Sequence, residues 1–313
     1  DEQHFLPESY DGYEIILELS GSHFQISDNC GGIEVDRLAN MVLRFGETSS
    51  HELGIGVFGV GLNRALFKLG ARSTLTTDTG KECARVVLDV EAYLAAPDWK
   101  IPAERLPVTG KSGTVVLIEG LPSPISRDFA DRDWVASIIE EISVRYARFI
   151  EKKLRIIVNG DEIAARVAHI RDNSPFPGDY KVFQAPNSVA VHVEYGQHSE
   201  HRFVNETGYD KMRNAQITDE YGWTVVCNDR IILMADRTQR TGWDAGFHTE
   251  FYGFVGIVSF EAENPGDLPW NTTKTDVDLN NPAYQLALLD MRRFVQKWRS
   301  MAEKRKKTSA AGG

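Results

Sequence analysis

Four glycines fall within eight positions in Gly54-Ile55-Gly56-Val57-Phe58-Gly59-Val60-Gly61, and the run leads into Leu62-Asn63-Arg64-Ala65-Leu66-Phe67. Glycine at this density weakens a helix or strand interior, at about 1 kcal/mol per residue relative to alanine. It suits a loop whose backbone bends freely and approaches a ligand closely. A glycine-rich turn opening a helix forms a nest of N–H groups, and the helix dipole adds to its preference for phosphate. The run is not a dinucleotide-binding fingerprint, because a loop and a helix precede it rather than a strand. It is not a Walker loop either, because no Gly-Lys-Ser/Thr closes it.

The surrounding pattern is a mixed sheet with helices entering between strands. Tyr13–Leu19 and His23–Ser27 read as strands joined by a Gly21-Ser22 turn. Helical segments are expected near 35–44 and 60–69. Strands rich in Val, Leu, Ile and Thr follow at 72–77, 84–90 and 114–119. Helical periodicity runs from Asp133 to Glu151 through Trp134, Ile138, Ile142, Tyr146 and Ile150. Leu154–Val158 is a strand ending in Asn159-Gly160, a strong hairpin dipeptide, and reads as the opening of a second domain. Further strands are expected at 189–195, 223–227, 231–234 and 254–260, with Asn228-Asp229 turning one pair. A long helix from Ala283 to Lys306 carries Leu286, Leu289, Phe294, Val295 and Trp298, with Pro282 near its start.

Two more short motifs carry chemistry. Asp28-Asn29-Cys30-Gly31-Gly32-Ile33 directly follows a strand. An aspartate there can accept a hydrogen bond from an adenine amino group, and paired glycines admit the base and sugar. Taken alone, Asp-Asn-x-Gly is ordinary turn chemistry. Gly113-Thr114 opens a strand, and its hydroxyl can assist Asp28, directly or through water.

In this order, the three motifs resemble the nucleotide boxes of the gyrase, heat-shock chaperone, histidine kinase and MutL (GHKL) superfamily over residues 1–150. The resemblance implies an ATP-binding α/β sandwich, in the α+β class. It implies that Asp28, Gly32, Ile33 and Thr114 read the adenosine end, and that Gly54, Gly56, Val57, Phe58, Gly59, Val60, Gly61 and Leu62 cradle phosphates. The stretch containing Gly46, Thr48, Ser49 and His51 corresponds to the ATP lid. The family's general-base glutamate and Mg²⁺-holding asparagine lie on a helix before the first hairpin, in a box often continuing as Asn-x-x-Asp-Glu. Asp1-Glu2 matches the end of that box, so both residues are expected upstream of Asp1, and no metal ligand is expected within the chain. Glu8, Glu14 and Glu18 are poor substitutes for the base.

Residues 153–280 resemble, with lower specificity, the ribosomal-protein-S5-like transducer domain of gyrase, MutL and MORC-type ATPases. Its signature lysine meets the γ-phosphate. Lys274, in Asn271-Thr272-Thr273-Lys274, matches the family's Gln-Thr-Lys with threonine in place of glutamine. The expected organisation is therefore an ATP-binding domain over 1–152, a transducer over 153–280, and a C-terminal helix with a flexible basic tail over 281–313. The implied activity is ATP hydrolysis with Mg²⁺, gating lid closure and homodimerisation within a larger DNA-associated protein. A nucleotide-gated module without turnover, and a chaperone-type ATPase, are the alternatives. A sensor kinase is disfavoured, because kinases place a dimerisation hairpin before the ATP domain.

Composition narrows the partners. The formal net charge of −10 argues against a broad nucleic-acid-coating surface. Lys297, Arg299, Lys304, Arg305, Lys306 and Lys307 form a local exception, either a solvated helix end or a basic approach to DNA. Arg237 and Arg240, in a polar loop, could approach phosphate or a partner, but read first as solvent-exposed. Three cysteines, Cys30, Cys83 and Cys227, lie far apart without paired spacing, which suits a reducing compartment, cytoplasmic or nuclear. His198 and His201 are close in sequence but lack the neighbours of a metal site. No stretch approaches the ~20 apolar residues of a membrane helix, and no membrane partner is expected.

Overall fold

A computed structural model describes residues 6–38, 61–96 and 101–311, with side chains described to Lys306. These residues form eight α-helices and two mixed sheets. They divide into two compact units, one running from Pro7 to Ala165 and the other starting at Arg166.

The first unit is built on strands β1 (Glu14–Leu19), β2 (His23–Asp28), β3 (Arg72–Asp78), β4 (Cys83–Asp89), β5 (Ala103–Leu106), β6 (Gly113–Glu119), β7 (Arg155–Val158) and β8 (Asp161–Glu162). Their order in the sheet is β5-β4-β3-β6-β2-β1-β7-β8. Helices α1 (Val35–Arg37), α2 (Gly61–Lys68), α3 (Val90–Ala95), α4 (Ser123–Ala130), α5 (Arg132–Arg145) and α6 (Ala147–Glu151) complete it. Alternation along the strands separates two faces. Leu75, Val86, Leu88, Val116 and Ile118 are buried with Leu38 and with Leu66 of α2. The other face keeps Val87 and Val115 exposed, beside Arg72, Thr74, Thr76 and Arg85.

The strand at 155–158, expected to open the second domain, instead extends the first sheet. It pairs in parallel with β1, Ile15 opposite Ile156 and Leu17 opposite Val158. The unit boundary therefore falls at 165/166 rather than 152/153. Two contacts account for this. The Asn159 carboxamide accepts the Leu19 N–H at 2.7 Å and donates to the Leu19 carbonyl at 3.1 Å, as a paired peptide would. Arg155 bridges Glu14 of β1 at 2.5 Å and Glu162 of β8 at 3.0 Å.

The second unit contains β9 (Asp179–Ala185), β10 (Val189–Gln197), β11 (Gly222–Cys227), β12 (Arg230–Asp236) and β13 (Phe254–Glu261), with α7 (Lys211–Gln216) and α8 (Pro282–Ala311). The sheet order is β12-β11-β13-β10-β9, and only β11 and β13 run parallel. Asn228 and Asp229 both have positive φ, at 44° and 62°, the backbone of a type I′ hairpin between β11 and β12. The Asn228 side chain prolongs the β11–β13 ladder, exchanging two hydrogen bonds with the Ala262 peptide at 3.0 Å each.

Aromatic residues fill this unit's core. Trp223, Trp243, Trp298, Tyr221, Tyr284, Phe254, Phe260 and Phe294 are all buried almost completely. Trp223 lies across Gly256, where an added Cβ would sit 2.4 Å from the indole. Helix α8 buries Tyr284, Ala287, Met291, Phe294, Trp298 and Ala302, one stripe at helical period. Leu286 and Leu289 fall off that stripe and remain exposed. Much of the basic C-terminus is engaged: Lys297 pairs with Asp179, Lys306 lies 3.5 Å from Glu250, and Arg299 lies over Phe251.

The arginines expected to be solvated are structural. Arg237 donates to the Thr218 carbonyl at 2.6 Å and stacks on Phe247. Arg240 joins Asp236 at 2.6 Å and Asp276 at 2.8 Å, while its carbonyl accepts from Tyr284 of α8 at 2.7 Å. Burial alone would raise the Asp236 carboxyl. Hydrogen bonds from Arg240, Thr241 and Thr238 outweigh it and hold the group below the usual carboxylate value. A carboxylate lowered by folding adds stability above its unfolded-state value, and that stability is lost as pH falls through the folded one. Asp236→Asn is expected to cost about 1.5–3 kcal/mol at pH 7, the range for hydrogen bonds to charged groups. Urea unfolding of both proteins from pH 7 down to pH 3 checks this, and the difference should shrink below about pH 4.

Candidate functional site

Three adjacent strands place polar side chains in one row. Asp28 ends β2 and stands opposite Thr114 of β6. Thr114 in turn stands opposite Thr77 of β3. The period of two fixes their direction. Phe24 and Ile26 share a face with Asp28, Val116 and Ile118 with Thr114, and Leu75 with Thr77. The apolar core therefore gives way, at one end of the sheet, to a carboxylate and two hydroxyls.

The segment after β2 is held onto this row. The Ile33 N–H donates to the Thr77 hydroxyl at 2.6 Å, and the Thr77 and Thr114 hydroxyls lie 3.3 Å apart. Asp28 turns the chain by accepting the Cys30 N–H on one carboxylate oxygen at 2.8 Å. The Cys30 thiol also hydrogen-bonds the Asp28 carboxylate, and burial together with that carboxylate raises the thiol's pKa. Two glycines make the fit possible. Gly32 has φ of +75°, and a Cβ there would lie 2.1 Å from the Asp78 carbonyl oxygen. A Cβ on Gly113, at φ +153°, would lie 2.1 Å from the Asp28 carbonyl oxygen.

Two further carboxylates brace the surroundings. Asp78 accepts from the Thr109 N–H at 2.7 Å, the Thr109 hydroxyl at 2.8 Å and the Gly80 N–H at 2.7 Å. Those bonds hold its carboxyl below the usual value. Glu82 accepts the Val35 N–H at 2.9 Å, placing negative charge at the start of α1.

Asp28, Gly32, Ile33 and Thr114 thus come together at one end of the first sheet. Gly61 and Leu62 begin α2, with Leu62 packed on the core. Gly54, Gly56, Val57, Phe58, Gly59 and Val60, and the residues expected to form a lid, Gly46, Thr48, Ser49 and His51, lie outside the described residues. Lys274 belongs to the second unit. It occupies a tight turn at φ +55°, where the Asn271 carbonyl accepts its N–H at 3.0 Å. Its ammonium lies 5.5 Å from the Trp270 ring centroid. Burial, and then the charge of Arg230, lower its pKa. Among the described residues no group of three His, Cys, Asp or Glu side chains is placed to hold a metal ion. His198 and His201 instead hydrogen-bond Glu220 at 3.0 Å and Tyr221 at 2.8 Å.

Sequence reasoning missed Thr77. Its trace is a threonine falling on the core-facing parity of β3, two residues beyond Leu75. Thr77→Val keeps the shape and removes the acceptor for the Ile33 N–H. A part-buried donor left unpaired costs about 1–3 kcal/mol. Urea denaturation should show a loss of that size, with Thr77→Ser recovering most of it. Compared by sequence, the chain matches no protein-family model and no curated protein.

Proposed function

We propose that the first unit is a GHKL-type ATP-binding domain and that the chain is the nucleotide-gated switch of a larger protein. The row Asp28–Thr114–Thr77 carries this reading. It offers a partly apolar end of a sheet with a carboxylate that can accept the exocyclic amino group. Thr77 and Thr114 supply hydroxyls beside it, and the Gly31-Gly32 backbone lets the base and sugar approach. The glycine run ending at Gly61 supplies main-chain N–H groups for phosphate at the start of α2.

On this reading the second unit is the transducer and Lys274 responds to the γ-phosphate. The turn that holds Lys274 is pinned by Asn271, whose side chain accepts from the Thr275 N–H at 3.0 Å and the Thr273 hydroxyl at 3.1 Å. A fixed, partly desolvated ammonium meets a phosphoryl oxygen with little ordering cost and stabilises charge there. Mg²⁺ would neutralise phosphate charge when bound. ATP shifts lid closure and homodimerisation only as far as it binds the closed state more tightly than the open one. A DNA-associated role for the whole protein belongs to the same proposal.

Titration of the chain with adenylyl imidodiphosphate and Mg²⁺ tests the pocket. Asp28→Asn should weaken binding at least tenfold. Unchanged affinity in the variant would remove Asp28 from base recognition and sink the proposal. A separate test addresses the switch. Lys274→Ala should lower ATP turnover and ATP-dependent dimerisation of the whole protein by an order of magnitude, with analogue affinity changed far less. If turnover and dimerisation are both untouched, Lys274 is a structural turn residue.

A further inference from the structure

Residues between β10 and β11, with Thr249, Tyr252 and Arg305, line an open cavity of about 330 Å³ in the second unit. That volume is at the small end for a ligand pocket and suits a molecule of one or two rings. Phe203, Tyr209, Ala215 and Tyr252 form apolar walls. Arg202, Lys211 and Arg305 bring three cations to it, and no acidic residue lines it. This is a local inversion in a chain of net charge −10.

The walls are built rather than incidental. The Asn214 side chain of α7 exchanges two hydrogen bonds with the Arg202 backbone, at 3.2 and 2.7 Å. Glu206 accepts from the Phe203 N–H at 2.6 Å, from Gln197 at 2.8 Å and from Arg171 at 2.5 Å. Glu206 is therefore already satisfied. Neighbouring Glu200 and Glu250 pair with Arg213 and Lys306.

Arg305 is the unusual element. Its guanidinium lies 3.5 Å from the Phe203 ring centroid, half-buried, with only a long 3.5 Å contact to the Glu250 carbonyl. Among the described residues no carboxylate comes within 4.0 Å of it. Burial lowers the Arg305 pKa, and the charge of Glu206 offsets this only in part; a bidentate carboxylate fits the guanidinium's fork. The His201 ring lines the same cavity. Burial, then the charge of Arg305, push its pKa down to about 4, so it is neutral at pH 7.

We infer that this cavity binds a small organic anion, a carboxylate on a planar aromatic body, with Arg305 meeting the carboxylate and Phe203, Tyr209 and Tyr252 enclosing the ring. Lys211, exposed at the rim, adds attraction without specificity. The assignment is independent of the nucleotide reading.

Isothermal titration of the full chain with 2-naphthoate tests it, with uncharged 2-naphthamide and inorganic phosphate as comparators. Saturable one-to-one binding of naphthoate is expected, with both comparators at least tenfold weaker. Arg305→Met, which keeps an apolar stem over Phe203, should weaken naphthoate binding tenfold or more. Lys211→Gln, an exposed change that cannot unfold the protein, should weaken it severalfold. Absence of saturable naphthoate binding, equal affinity for acid and amide, or phosphate binding as tightly as naphthoate would each overturn the inference. So would wild-type affinity in both variants. Asp28→Asn should leave naphthoate binding unchanged; a loss there would move the aromatic acid to the adenine pocket and overturn the cavity assignment.

Discussion

The register of β2, β6 and β3 is the constraint on which the candidate site depends. Each strand has a side-chain period of two, so a slip of one residue would exchange its core and solvent faces. In the observed register, Phe24, Ile118 and Ser73 align at one end, and Asp28, Thr114 and Thr77 at the other. The apolar pairs between them make the alignment cooperative. Burial of Ile26, Leu75 and Val116 fixes the register, and the polar row follows from it. The same packing that stabilises the sheet thus sets the spacing of a carboxylate and two hydroxyls.

Asparagine side chains repeatedly finish what the strands begin. Asn29 accepts the Glu14 N–H at 2.8 Å and donates to the Gly12 carbonyl at 2.9 Å. Asn159 does the same for Leu19, and Asn228 for Ala262. A carboxamide has the donor and acceptor geometry of a peptide, so each residue extends a ladder where the backbone itself has turned away. Asn159 and Asn228 also tolerate positive φ, so one residue both turns the hairpin and closes the neighbouring strand.

These double roles explain what could be read from sequence. Asp28 and Thr114 were legible because each follows or opens a strand whose apolar alternation is clear, and pairing put them together. Thr77 was not, because a threonine in a β-rich run is unremarkable until its partner strands are known. The placement of β7 was obscured for a similar reason. Its own sequence identifies a strand and a hairpin, but not that its other edge joins β1 in parallel. The buried face of α8 could not be chosen from sequence, because Leu286 and Leu289 put apolar residues on a second face. Only the aromatic sheet beneath it selects the stripe through Tyr284, Met291, Phe294 and Trp298. Arg237 and Arg240 read as solvated from a polar loop, yet Asp236, Asp276 and Phe247 come to them from elsewhere in the chain.

Charge sets the terms for any anionic ligand. A net charge of −10 repels a polyphosphate or a carboxylate at long range. At physiological salt the screening length is about 8 Å, so that repulsion fades outside the immediate site. Recognition of the anions proposed above would then rest on groups within a few ångströms: main-chain N–H donors at a helix start, a half-buried Lys274, or the Arg305 guanidinium over Phe203. Such groups are effective because they are partly desolvated and already oriented, and their fields are not averaged away by water. The Arg305 cavity contains cations with no acidic residue in its lining, whereas Arg155, Arg213 and Arg145 are matched to carboxylates.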